Sequence, residues 1–262
     1  MISGFHRNRF GSALFNPATL SPLSWCEPNV GSSAKDSGTQ VTVSDLSGTA
    51  VRDLTESVYS AGVSLSENEC NGYDAVNFAN TLGKIQLGIF AVNLSGSGGS
   101  YTIFVLTKSN AAIVLNSFLY DEKDKDTEGG AIYKWSGNNI VFEVWNAGDN
   151  YPGTPVDIIS AAVSHSPNFW VLHTLAYNVS TNQLRLWTGN TLQVTDTLTP
   201  TVDAAALGVG GLRETDDDDV NGSMVGYFRS FIVYDSLLSD ANIASIQDDY
   251  FKRKYNLTRN YT

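Results

Sequence analysis

Residues able to do chemistry are few in this chain and lie far apart. Glu143, in the strand-like run VFEVWN, has no second carboxylate on its strand. Cleaving a glycosidic bond takes two, one acting as acid and the other as base or nucleophile. The histidines, His6, His165 and His173, fall in unrelated contexts, and His173 between Leu172 and Thr174 reads as a strand residue rather than a base. No catalytic residue is assigned, and the chain is expected to be non-enzymatic. Cys26 and Cys70 are too few for a disulfide framework and lack metal-ligand spacing. They read as two buried thiols, with a single bridge between them as the alternative.

Three groups remain as candidates for binding. Asp217, Asp219 and Asn221, followed by Gly222, have the alternate spacing that turns successive oxygens toward one calcium ion, and Asp124, Asp126 and Glu128 before Gly129 nearly repeat it. Neither loop has the bidentate Glu at its twelfth position, where Phe228 and Trp135 fall, so a solvated turn is the competing reading. Trp135, Trp145 and Tyr151, near Asp149 and Asn150, could stack on a sugar ring, or could simply be core aromatics. Lastly, Phe5, Arg7, Arg9, Phe10 and Phe15 interleave basic and aromatic side chains within residues 1–20 of an otherwise acidic chain. These read as an arm that docks on a neighbour, or one folded against its own domain; as a docking arm, its removal should leave melting nearly intact.

The elements that must carry these residues are mostly short strands. The run 227–234 has apolar side chains in both alternation registers, with Phe228, Ile232 and Tyr234 on one and Phe231 and Val233 on the other, as in a central strand covered on both faces. Ser239 follows as an N-cap, with Leu238 and Ile243 spaced as a hydrophobic staple. A helix over 239–255 then repeats apolar residues at Ile243, Ile246, Tyr250 and Phe251, with Asp240 in its first turn and Lys252, Arg253 and Lys254 in its last. Asn256 is placed to end it in a left-handed conformation. Upstream, YTIFVLT (101–107) reads as another central strand, DAVNFA (74–79) as a half-buried one, and FWVLHTLAY (169–177) and 183–194 as further strands. Gly137-Asn138-Asn139 and Gly189-Asn190 mark hairpin turns. SGSGGS (95–100) is a flexible loop, since no phosphate-cradle Lys follows it.

With 262 residues, 42% hydrophobic content, 23 glycines and no linker-like run, one β-rich domain is expected after the arm, over 21–262. A formal charge of −11 and a pI of about 4.6 set the chain against nucleic-acid phosphate and anionic membrane as partners. No window has the roughly 20 apolar residues of a membrane span. No apolar run of signal-peptide length follows the basic residues at the start, so synthesis in a host cytoplasm is expected.

The ordered set PLSW, SDLSG, DAVNF, YTIFVLTK, NFWVLHTLAYN, LRLWTGN, LGVGG and GYFRSFIVYDSLLSDANI, closing on KYNL, resembles the concanavalin A-like lectin/glucanase (laminin-G-like) jelly rolls over roughly 20–257. Asn242 stands where the resembling sequences often carry the Glu of a capping box, and Asn256 where they carry Gly. The resemblance implies an all-β, two-sheet antiparallel jelly-roll sandwich with one C-terminal helix. It also implies a structural or adhesion protein of a virus particle, such as a tailed-phage head decoration, fibre or tail protein. Such a protein would assemble with other virion proteins or as a homo-oligomer, and could bind host-surface polysaccharide. A cellular lectin-like adhesion domain is the alternative, and a polysaccharide-active enzyme comes third.

Overall fold

A computed structural model describes residues 13–28, 41–47, 53–56, 63–79, 85–86, 94, 98–109, 115–122, 130–136, 139–145, 155–163, 168–200, 206–209 and 224–257. A short 3-10 turn (Pro17–Leu20) precedes the first strand. The first half of the chain supplies β1 (Ser24–Cys26), β2 (Thr42–Val43), β3 (Leu54–Glu56), β4 (Val63–Cys70), β5 (Tyr73–Phe78), β6 (Ile85–Gln86), β7 (Tyr101–Ser109) and β8 (Leu115–Glu122). The second supplies β9 (Gly130–Ser136), β10 (Asn139–Trp145), β11 (Asp157–Ala162), β12 (Trp170–Asn178), β13 (Gln183–Thr188), β14 (Thr191–Thr197), β15 (Ala206–Val209) and β16 (Gly226–Tyr234).

These strands form two antiparallel sheets. The first runs β14-β13-β12-β7-β16-β5-β4 with β1 also paired to β16, and the second runs β11-β10-β9-β8-β15-β6-β3-β2. Strands adjacent in sequence often pair, as β9–β10 and β13–β14 do, whereas β7 and β16, far apart in the chain, lie side by side at the centre of the first sheet. Both central strands are buried over nearly their whole length, as their continuous apolar runs require. Several strands, among them β3, went unread in the sequence. β4 (VSLSENEC) is mostly polar and half-exposed, and β11 lies at the edge of the second sheet.

Alternation sends the two faces of the first sheet into different cores. Ile103, Val105, Leu175, Tyr177, Phe231 and Val233 face the second sheet, where they meet Tyr133, Phe142 and Val144. Phe104, Leu106, Leu172, Ile232 and Tyr234 face outward, under the C-terminal helix. One side chain departs from the sequence reading. Phe228 joins Phe231 and Val233 on the inner face instead of Ile232 and Tyr234 on the outer, because the pairing of β16 with β7 shifts register between Phe228 and Ser230. This bulge inserts one residue and reverses the alternation.

The helix starts as expected but is not one uniform α-helix. After the Ser239 cap come α1 (Asp240–Ala244), a π-helical stretch (Ser245–Lys252) and α2 (Arg253–Tyr255), ended by Asn256 at φ 49°. Winding with i→i+5 bonds brings residues five apart onto one face. Ile246 and Phe251, and Tyr250 and Tyr255, are thereby all buried toward the sheet. Leu238 and Ile243 are buried together as the staple requires, and Leu257 folds back through its N–H to the Lys252 carbonyl, 3.1 Å away.

Candidate functional site

At one end of the outer face, three residues of adjacent strands stand in register. Lys108 of β7 is opposite both Trp170 of β12 and Tyr227 of β16. Side chains on one face of neighbouring strands touch, and here the Lys108 ammonium lies 4.5 Å from the Tyr227 ring centre and 5.7 Å from that of Trp170. Glu69, near the end of β4, closes an ion pair with the same ammonium. Trp170, Tyr227, Glu69 and Lys108 all remain partly exposed.

Three asparagines complete the rim. Asn71 comes from the β4–β5 hairpin, Asn168 from the entry to β12, and Asn256 from the end of the helix. All three have left-handed backbones, at φ 50°, 69° and 49°. Asparagine tolerates that conformation better than most residues, and it leaves each amide exposed at a chain reversal. The hairpin is a two-residue Asn71-Gly72 turn with Gly72 at φ 93° and Cys70 paired to Tyr73. With Phe169 and Leu257, these residues enclose a cleft of about 360 Å³.

A buried charge cluster fixes the helix wall of this cleft. Glu27 follows β1 and is 3% exposed. It accepts from Tyr255 Oη at 2.7 Å, from Lys254 Nζ at 2.6 Å, from Ser230 Oγ at 3.2 Å and from Tyr250 Oη, and lies 3.6 Å from Arg229 Nη2. The β16 bulge makes this possible, since it lets the consecutive Arg229 and Ser230 both reach the same carboxylate. Burial opposes the charge on Glu27, but Lys254 and Arg229 more than offset it and hold the carboxyl at about 2. Lys254 also lies 4.6 Å from the Tyr250 ring, 5.1 Å from Tyr255 and 5.9 Å from both Trp25 and Tyr73. Asn71 donates its amide N–H to the Tyr255 carbonyl, joining hairpin to helix.

Of the binding residues singled out by sequence, the structure describes the side chains of Trp135 and Phe15, and neither lines this cleft. Trp135 is 3% exposed, in the core between the sheets with its ring centre 6.1 Å from that of His173, and leaves no face for a sugar at the surface. Trp145 ends β10, but its side chain, like the whole of Tyr151, lies outside the described residues, as do Asp217, Asp219, Asn221 and the second acidic loop. Among the described residues no group of three metal-ligating side chains occurs. Phe5, Arg7, Arg9 and Phe10 are also outside them, whereas Phe15 packs on the protein's own outer-face core. At Phe15, then, the alternative reading of the arm holds, in which it folds against its own domain. Nearby, Pro17 accepts at its carbonyl from the buried Tyr234 hydroxyl at 3.1 Å.

His173 is fully buried with Nδ1 2.9 Å from Tyr133 Oη, in keeping with a strand residue. Glu143 pairs with Lys134 at 2.6 Å. No disulfide joins the two cysteines: Cys26 lies in the inner core and Cys70 in the outer, and burial pushes both thiols up to about 12. None of the cleft residues was read from sequence as a site. The available signals were the Asn71-Gly72 dipeptide and the Asn-Phe-Trp run at 168–170, but only the sheet order brings them together.

No family model matches the chain, and neither does any curated protein sequence. Solved structures do match. The receptor-binding domain of botulinum neurotoxin D superposes with a TM-score of 0.59 at 13% identity, covering 88% of this chain and 53% of that one. A type C botulinum neurotoxin, whose cell entry is described as dependent on two ganglioside molecules, gives 0.59 at 14% identity over 89% and 52%. Domain 4 of AbnA, a GH43 extracellular arabinanase from Geobacillus stearothermophilus, solved with arabinotriose, gives 0.53 at 12% identity over 73% and 84%. The chain spans about half the length of the neurotoxin domains it matches. At these identities the likeness establishes architecture: the chain has the concanavalin A-like jelly-roll fold, a mostly antiparallel two-sheet sandwich with one C-terminal helix.

Proposed function

We propose that this chain is a lectin-like carbohydrate-binding domain that engages surface glycans without transforming them, and that the cleft at Trp170 is where a sugar docks. The observation that carries this is the cleft's composition. A partly exposed indole beside three amides and a carboxylate–ammonium pair offers an apolar face for the C–H side of a sugar ring and fixed donors and acceptors for its hydroxyls. Sugar-linked proteins among the matches support the same reading: the type C neurotoxin whose cell entry depends on two ganglioside molecules, the arabinanase domain solved with arabinotriose, and the binding domain of a botulinum neurotoxin DC in complex with SialylT. Binding without turnover is proposed because Glu69 is the only carboxylate lining the described cleft and is paired to Lys108, whereas glycoside hydrolysis uses two carboxyl groups.

The finer form of this reading is an adhesin carried on a virus particle, where copies of the chain or other particle proteins would be its neighbours. It rests on the sequence resemblance, and detecting the chain in purified particles is its test. For the binding itself, a Trp170→Ala variant that keeps the wild-type melting temperature should lose glycan binding by about tenfold or more, as loss of an aromatic platform does. Unchanged binding in that variant would place the site elsewhere.

A further inference from the structure

We infer that the cleft selects neutral sugars over acidic ones, with Glu69 and Lys108 acting together as a donor–acceptor clamp on neighbouring hydroxyls. The inference rests on the reading of the chain as a glycan binder and adds the class of glycan.

Recognition of a sialic acid or uronic acid carboxylate needs a cation with no competing anion, because most of the gain comes from a charge-assisted bond. Lys108 is not such a cation. Glu69 already pairs with it, and the rings of Tyr227 and Trp170 flank the ammonium. An incoming carboxylate would have to displace Glu69 or sit beside it, and like charges in contact discriminate strongly against a ligand. Among the described residues, the cations of the helix wall, Lys254 and Arg229, are committed to Glu27. The chain as a whole carries −11, so its field also opposes an anion's approach.

A hydroxyl-bearing neutral sugar meets the opposite situation. The side chains of Lys108 and Glu69 are 16% and 23% exposed, so the pair is reachable from solvent. An ammonium has three donors and a carboxylate two acceptor oxygens, and their mutual bond leaves capacity on both. Adjacent hydroxyls, each both donor and acceptor, fit such a pair without adding net charge. Asn71, Asn168 and Asn256 add amides that also donate and accept. A cleft of about 360 Å³ is at the small end of ligand pockets, the size for a terminal sugar or a short stretch of chain.

The test uses the full chain on a glycan array of matched pairs, each neutral glycan beside its sialylated or uronate-containing counterpart, followed by calorimetry on those retained. Neutral members should bind, and their acidic partners about tenfold or more weakly. Glu69→Gln and Lys108→Met, checked for wild-type melting, should each weaken neutral binding about ten- to hundredfold, since each removes one half of the clamp. Preferential binding of the acidic members, strengthened by Glu69→Gln and abolished by Lys108→Met, would overturn the inference while leaving the chain a glycan binder. Neutral binding unaffected by either substitution would also overturn it, by taking the clamp out of recognition. Absence of binding across the array would overturn the proposed function itself.

Discussion

Glu27 lies just before Pro28 in no motif, yet more of the buried polar structure converges on it than on any other described side chain. Two cations, two tyrosine hydroxyls and a serine satisfy it, so its cost of burial is offset by groups from β16 and from the helix. Its folded pKa of about 2 lies below the ordinary 4.5, so the carboxylate form is the one the fold favours. The corresponding stability is fully present above pH 4.5 and is lost as pH falls through the interval toward 2. At 1.36 kcal/mol per pH unit, the gap amounts to roughly 3 kcal/mol. Chemical denaturation followed from pH 6 to pH 2.5 should show this loss in the wild type and a much flatter profile in Glu27→Gln. At neutral pH that variant should itself be about 3–5 kcal/mol less stable, because Lys254 and Arg229 stay buried without their counter-charge.

The C-terminal helix joins the outer core to the cleft. Its stripe covers the outer face of the first sheet, and its end forms a wall of the cleft. Cap, staple and terminal Asn256 were all legible in the sequence, since each is a local preference of a few neighbouring residues. The π-helical winding was not, because it depends on what Tyr250 and Tyr255 meet across the interface. Ile246 is fully buried under the helix. Ile246→Asp should destabilise the protein by about 3 kcal/mol or more, measured by denaturant titration, and should weaken glycan binding as well because Asn256 and Leu257 lose their support. A large stability loss with unchanged affinity would separate helix from cleft.

Over the whole molecule, two connections tie distant parts of the chain to the first sheet. Gly226 opens β16 at φ 152°, and a Cβ built there would lie 2.1 Å from the Lys108 backbone carbonyl. Neither strand can give way easily, since both are central. Gly226→Ala should therefore cost at least about 2 kcal/mol and shift Lys108, lowering the melting temperature and glycan affinity together. The second connection is the segment before β1. Phe15 and Leu20 pack on the outer core and Pro17 accepts from Tyr234. Deleting residues 1–18, which as a docking arm should be silent in melting, is now expected to lower stability by about 1–3 kcal/mol, because the buried Tyr234 hydroxyl loses its acceptor.

By itself the sequence determined what short-range physics controls. Strand periodicity, the central runs at 101–107 and 227–234, the turn at Gly189, and the helix cap all follow from side chains within a few residues of one another, and their order was enough to imply a jelly-roll sandwich. Tertiary structure alone decided which polar groups meet. Glu27 lies 227 positions from Lys254, and Glu69, Lys108, Asn168 and Asn256 come from separate stretches of the chain. A single β16 bulge, invisible to alternation counting, turned Phe228 inward and let Arg229 reach Glu27. Trp135 illustrates the same limit from the other side, since its type suits either a sugar platform or a core, and only the packing of the second sheet against His173 chose the core. Local preference is encoded in the residues that show it, whereas a site depends on sheet order and register, which are set by the sum of many long-range contacts.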